Sequence, residues 1–106
     1  MASLLTWYTV RLVLTVDPAE EGRRAVHDLQ EDLEQRPYLR DALVSWEDAH
    51  SLVMVEVATE GVDAAQVATL MEEELLEVAS GVLGNVTGAS VRLLAVTSSP
   101  SPDRTG

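Results

Sequence analysis

The spacing of apolar residues along the chain predicts six secondary-structure elements. Four segments are short and rich in Val, Leu and Thr, which is typical of strands: residues 5–16, 42–46, 52–59 and 86–97. Apolar residues three and four positions apart predict a helix over about 18–36, with its polar face toward water. The same spacing predicts a second helix between Asp63 and Gly84.

The starts of both predicted helices carry capping residues. Asp17 can cap the first helix, with Pro18 at the first helical position and Glu20 completing a capping box. Asp63 and Gln66 form the second predicted capping box. These caps place each helix directly after a strand.

The element order is therefore strand–helix–strand–strand–helix–strand. This βαββαβ order is the split βαβ, or ferredoxin-like, arrangement of an α+β two-layer sandwich. It predicts an antiparallel sheet in the order 4-1-3-2 with both helices on one face, and the alternative is a similar sandwich with another strand order. We expect one domain over residues 1–97 and a disordered tail over 98–106, which reads SSPSPDRTG.

Strand alternation then assigns side chains to the face of the sheet that the helices leave open. The residues predicted there are mostly apolar, with three charged ones among them: Trp7, Arg11, Val13, Leu52, Met54, Glu56, Arg92, Leu94 and Val96. Ala95 is predicted to face inward. The second strand is ambiguous, because either Leu43, Ser45 and Glu47 or Val44 and Trp46 could face outward. An open face this apolar indicates an interface or a ligand site.

Composition narrows the class of partner. Eighteen acidic residues against seven basic ones give a net charge of −11, which disfavours nucleic acid and anionic membranes. The chain has no Cys and no Lys, which excludes thiolate and Schiff-base chemistry. The N-terminus predicts neither a signal peptide nor a membrane span, so a cytoplasmic protein is expected. Ile, Phe and Lys, which have AT-rich codons, are absent and Asn occurs once, which favours a bacterial source with a GC-rich genome.

Few residues suggest catalysis. The stretch SWEDAHSL brings Glu47, Asp48 and His50 together, yet it lies where a hairpin turn is expected and lacks the spacing of known metal motifs. His27 lies beside the apolar stripe of the first helix and could act as a base or simply mark its boundary. Trp46 could line a pocket or pack in the core. We expect no metal and no cofactor.

The element order resembles that of many ferredoxin-like families. Among these, dimeric α+β barrel proteins, which include cofactor-free monooxygenases, are most similar because their open sheet faces are apolar. The first hypothesis is a non-enzymatic assembly domain that forms a homodimer or higher homo-oligomer through this face. The second is a cofactor-free barrel enzyme with His27, Trp46 and Arg11 in a pocket between sheet and helices. The third is a regulatory sensor of a small ligand.

Overall fold

The computed structural model describes residues 5–84 and 88–98. Its six elements follow the predicted order: β1 (Thr6–Asp17), α1 (Ala19–Glu34), β2 (Leu39–Glu47), β3 (Leu52–Gly61), α2 (Ala64–Leu83) and β4 (Gly88–Ser98). Residues 86–87, predicted to begin the last strand, and the predicted tail beyond residue 98 lie outside the described part. The division into a domain and a tail therefore stays a prediction.

The four strands form one antiparallel sheet in the order β2-β3-β1-β4, which confirms the predicted order. Both helices pack on one face, where α1 contacts β2 and α2 contacts β4 while both contact the central strands. The protein is thus a ferredoxin-like α+β two-layer sandwich. The opposite face of the sheet has no helix over it among the described elements.

The core lies between the helices and the inner face of the sheet. As strand alternation predicts, Val10, Leu12 and Leu14 of β1 are fully buried there. The helices contribute Leu29 and Leu33 from α1 and Leu75 from α2 to the same core cluster, and all three side chains are fully buried. Burial of each such side chain contributes roughly 1.5–3 kcal/mol.

The two helix starts differ from each other. At α2, the backbone N–H of Gln66 donates to Asp63 Oδ1 at 2.8 Å, as predicted, and Gln66 Oε1 accepts from Val62 N–H at 2.7 Å. At α1 the predicted capping box is wrong. The N-cap is Pro18, without a side-chain cap, and Asp17 is the last residue of β1. The Asp17–Pro18 peptide bond is cis.

A β-bulge in β4 corrects the predicted facing of its last residues. Arg11 pairs with Ala95 while the next residue of β1, Leu12, pairs with Leu93, so Leu94 is one extra residue in β4. A bulge reverses strand alternation beyond it. Val96, predicted to face outward, therefore packs against the core, and Ala95 faces outward instead.

Strand β2 is longer than predicted and forms one edge of the sheet. It begins at Leu39, and its pairing with β3 shifts register between Arg40 and Leu43, where Asp41 has a φ of 54°. Val44 is buried and Trp46 packs against the core, so Leu43 and Ser45 face outward. This settles the ambiguity that the sequence left in this strand.

Candidate functional site

An ion pair lies at the centre of the open sheet face. Arg11 on β1 is directly opposite Glu56 on β3, and its Nε donates to Glu56 Oε2 at 2.9 Å. The two side chains are 62% and 36% exposed, so the pair contributes at most about 0.2–1 kcal/mol to stability. In this pair, Nε of the Arg11 guanidinium is directed toward Glu56.

Two shallow hollows flank this ion pair. The first, of about 280 Å³, is largely apolar and lies toward β2, where Leu43, Ser45 and Met54 line it with Val55. The second, of about 270 Å³, lies toward β4 and has Thr9, Ala95 and Thr97 around it. Arg11 and Glu56 line both hollows. They therefore separate an apolar hollow from one bordered by hydroxyl groups.

The remaining residues predicted for the open face are distributed around this centre. Trp7 is half-buried and lies opposite Glu60, and Met54 is half-buried opposite Val13. Val13 is only 4% exposed although it points away from the helices. Leu94, at the bulge, is 45% exposed. The middle of the open face is thus apolar enough to bury a valine, although within residues 5–84 and 88–98 no helix lies above it.

Charge is divided unequally between the two layers. Helix α1 carries six carboxylates and two Arg, and α2 carries four carboxylates and no cation, so the two helices together hold a net charge of −8. Strand pairing puts three Arg on the open face, at Arg11, Arg40 and Arg92. Four carboxylates share that face: Asp17, Glu47, Glu56 and Glu60. The open face is therefore nearly neutral in a strongly acidic protein.

The structure does not bring together the three residues predicted for an enzyme pocket, because they lie on three different surfaces. Arg11 is on the open face, whereas Trp46 is on the helix side of the sheet, where its Nε1 donates to Asp48 Oδ1 at 3.2 Å. His27 lies on the outside of α1 with its side chain 81% exposed, and its Nε2 is 3.3 Å from Glu31 Oε2. None of the hollows described here includes His27 or Trp46.

The stretch SWEDAHSL forms the turn between β2 and β3. Ser51, with a φ of 53°, donates its N–H to Asp48 O at 3.4 Å, and Ala49 N–H donates to Glu47 Oε1 at 2.9 Å. His50 Nδ1 lies 3.8 Å from Glu47 Oε1, and the His50 side chain is 76% exposed. These polar groups provide hydrogen-bond partners for the backbone N–H groups of the turn, as is typical of hairpin turns. Within residues 5–84 and 88–98, no cluster of His, Asp or Glu could hold a metal ion.

A polar cluster on the helix side was not predicted. Arg36, just after α1, donates from Nε to Asp32 Oδ1 at 3.1 Å and from Nη1 to Glu74 Oε2 on α2. The Tyr38 hydroxyl accepts from Arg36 and donates to Glu74. The pKa of Tyr38 is raised, mainly by its hydrogen bond to Glu74. The pKa of Arg36 is also raised, mainly by its hydrogen bond to Tyr38. Because Arg36 and Tyr38 lie between α1 and β2, these bonds connect that part of the chain to α2 and stabilise the packing of the helix layer.

Sequence reasoning did not fully assign the residues around the two hollows. It left Leu43 and Ser45 ambiguous, although the pair Val44 and Trp46 is together larger and more apolar than the pair Leu43 and Ser45 and so suits the core better. Ala95 and Thr97 could not have been assigned to the open face, since no residue type marks the bulge at Leu94.

Comparisons with known proteins give no family. No family of proteins matches the sequence, and no curated protein matches it either. One similar solved structure is an uncharacterized protein from Thermotoga maritima, 14% identical, with a TM-score of 0.39, covering 89% of this chain and 96% of that one. Another is the de novo designed protein Foldit4, 17% identical, with a TM-score of 0.40, covering 86% and 97%. The fold assignment rests on the strand order rather than on these similarities. Neither described helix is long and apolar enough to cross a membrane.

Proposed function

We propose that this protein is a small assembly domain whose copies associate through the open face of the sheet. The observation that carries the proposal is the apolar, nearly neutral centre of that face, where Val13 is 4% exposed although neither described helix lies above it. A second copy with the same face is a self-complementary partner in a two-fold dimer.

Charge supports a second copy on this face rather than on the helices. Contact between two helix layers would bring two surfaces of net charge −8 together. Face-to-face packing instead puts two nearly neutral sheets roughly 10 Å apart and leaves the acidic helices on opposite outer sides. The helix layers then lie farther apart than the sheets, well beyond the Debye length of about 8 Å at physiological ionic strength, so the repulsion between the helix layers is screened.

The edges of the sheet are less suitable for association. On β2, the Gln30 side chain already bonds Ala42 O and Val44 N–H, both at 2.6 Å. On β4, the bulge at Leu94 interrupts a regular ladder. Such features disfavour addition of another strand. Association through a face avoids both.

The available area is sufficient for a dimer. Four strands spaced ~4.8 Å apart, each about ten residues long with a rise of ~3.3 Å per residue, give a face of roughly 600 Å². Two copies would bury about 1,200 Å², which is the lower end of the range for stable interfaces. We therefore expect a dimer that dissociates on dilution.

Sedimentation velocity over a range of protein concentrations tests the proposal. Wild type should shift toward twice the monomer mass as concentration rises, and Met54→Glu should remain monomeric because it puts a charge into the interface. Leu70→Glu is the matched control, since Leu70 is 52% exposed on α2 and outside the interface. A wild type that is monomeric throughout, or a Met54→Glu variant that still dimerises, would contradict the proposal.

A further inference from the structure

We propose that the apolar hollow beside Arg11 binds a monocarboxylate with a short apolar chain, with the carboxylate on the Arg11 guanidinium and the chain against Leu43 and Met54. This site shares the open face with the proposed interface but does not require association, because one copy supplies every residue named.

The first observation is the hydrogen bonding of Arg11. Its Nε is used by Glu56, which holds the guanidinium plane, and neither Nη atom has a partner in the part of the chain that the structure describes. A guanidinium offers five N–H donors, and its planar fork matches a carboxylate. Arg11 is therefore an oriented cation with its outer donors still available.

The second observation is the local charge. Arg92 lies on the neighbouring strand opposite Val13, two residues from Arg11, and has no ion pair among the described residues. Arg92 lies on the β4 side of Arg11, away from the residues that line the hollow toward β2. Glu56 compensates the charge of Arg11, and the positive charge of Arg92 nearby makes these surroundings slightly cationic. A monoanion is thus favoured over a dianion or a cation.

The third observation is the shape and lining of the hollow. Its volume of about 280 Å³ equals roughly nine water molecules at ~30 Å³ each, enough for a short alkyl chain. Leu43 is 58% exposed there, so covering it with an alkyl chain removes apolar surface from water. The hollow on the other side of Arg11, bordered by Thr9 and Thr97, lacks such a surface. The chain of the ligand therefore lies toward β2.

An NMR titration with hexanoate tests the site. Hexanoate should shift the backbone amide signals of Ser45, Met54 and Glu56. Hexanol, which lacks the charge, and acetate, which lacks the chain, should each bind at least about tenfold more weakly, since a charge-assisted bond or a buried chain is worth at least that factor. Light scattering on the same samples reports the mass independently.

Two variants and a control distinguish the outcomes. Arg11→Gln should weaken hexanoate binding about tenfold, and Leu43→Ser should weaken it without affecting acetate. Arg24→Gln, which removes an exposed Arg from α1 with the same change in charge, should leave binding unchanged. Equal binding of hexanol and hexanoate, shifts confined to other residues, or an unaffected Arg11→Gln variant would overturn the inference. Dimerisation without hexanoate binding would overturn it and leave the proposed assembly intact, whereas binding to a strict monomer would do the reverse.

Discussion

The side-chain amide of Gln30 bonds the free edge of β2, where its Oε1 accepts from Val44 N–H and its Nε2 donates to Ala42 O, both at 2.6 Å. The amide thus occupies two backbone groups that would otherwise face another strand. We expect Gln30→Ala to lower the free energy of unfolding by about 1–2 kcal/mol, because partly buried backbone groups lose their partners. Urea denaturation measures the change.

Gln35→Ala is the control for this prediction. Gln35 is exposed at the end of α1, and within the described residues its side chain makes no hydrogen bond, so the change should stay within about 0.5 kcal/mol. If both variants lost the same free energy of unfolding, the hydrogen bonds from Gln30 to the edge of β2 would contribute nothing measurable to stability.

Two glycines should respond to alanine in opposite directions. A Cβ at Gly61, where β3 leads into α2, would overlap Cγ2 of the buried Val67. We expect Gly61→Ala to destabilise the protein by about 1–3 kcal/mol. Gly81 lies inside α2 with open space around it, so Gly81→Ala should stabilise by about 0.5–1 kcal/mol. Thermal unfolding of both variants tests the pair, and a stabilised Gly61→Ala would contradict the close packing at this junction.

The Tyr38–Glu74 hydrogen bond predicts a loss of stability at alkaline pH. This bond raises the pKa of Tyr38 in the folded protein above the unfolded value of about 10. Its contribution is complete below the unfolded pKa and is lost as the pH rises through the folded one. Absorbance titration of Tyr8→Phe, in which Tyr38 is the remaining tyrosine, should give a pKa above 10 that falls when Glu74→Gln is added. Tyr38→Phe should lose this part of the alkaline destabilisation, and an unchanged pH profile would contradict the assignment.

Self-association should become stronger with salt. The proposed interface is nearly neutral, whereas each copy carries a net charge of −11, so screening removes repulsion more than attraction. Between about 0.01 M and 0.1 M ionic strength the Debye length falls from roughly 30 Å to roughly 10 Å, and the dimer constant should rise over that range. Glu72→Gln combined with Glu73→Gln on α2 should reduce the slope. Dissociation by salt would indicate an interface held by ion pairs.

The fold was predictable because its signals are local and repeated. The alternation of β1 identified the buried Val10, Leu12 and Leu14, and the Asp63–Gln66 capping box located the start of α2. Strand order followed from the element order and the handedness of the crossovers. Helix α1 shows the limit, because Asp17, the expected cap, is the last residue of β1 and Pro18 takes the N-cap position without a side-chain cap.

The candidate site was predictable only in part. Alternation placed Arg11 and Glu56 on the open face, and the structure pairs them. The bulge at Leu94 brings Ala95 beside Arg11 and removes Val96 from the face, which depends on backbone geometry rather than on composition. Arg36 and Glu74 are 38 positions apart, so their contact depends on how the helices pack.

The unequal charge of the two layers also determines how the molecule should adsorb to a solid support. On a positively charged surface the helices, with their net charge of −8, will lie against the support and the sheet will point into solution. A monomer immobilised in this way presents Arg11 and Leu43 to the solution that flows past it. Capture on an anion-exchange support would therefore hold the monomers in one orientation, with the open face of the sheet toward the solution.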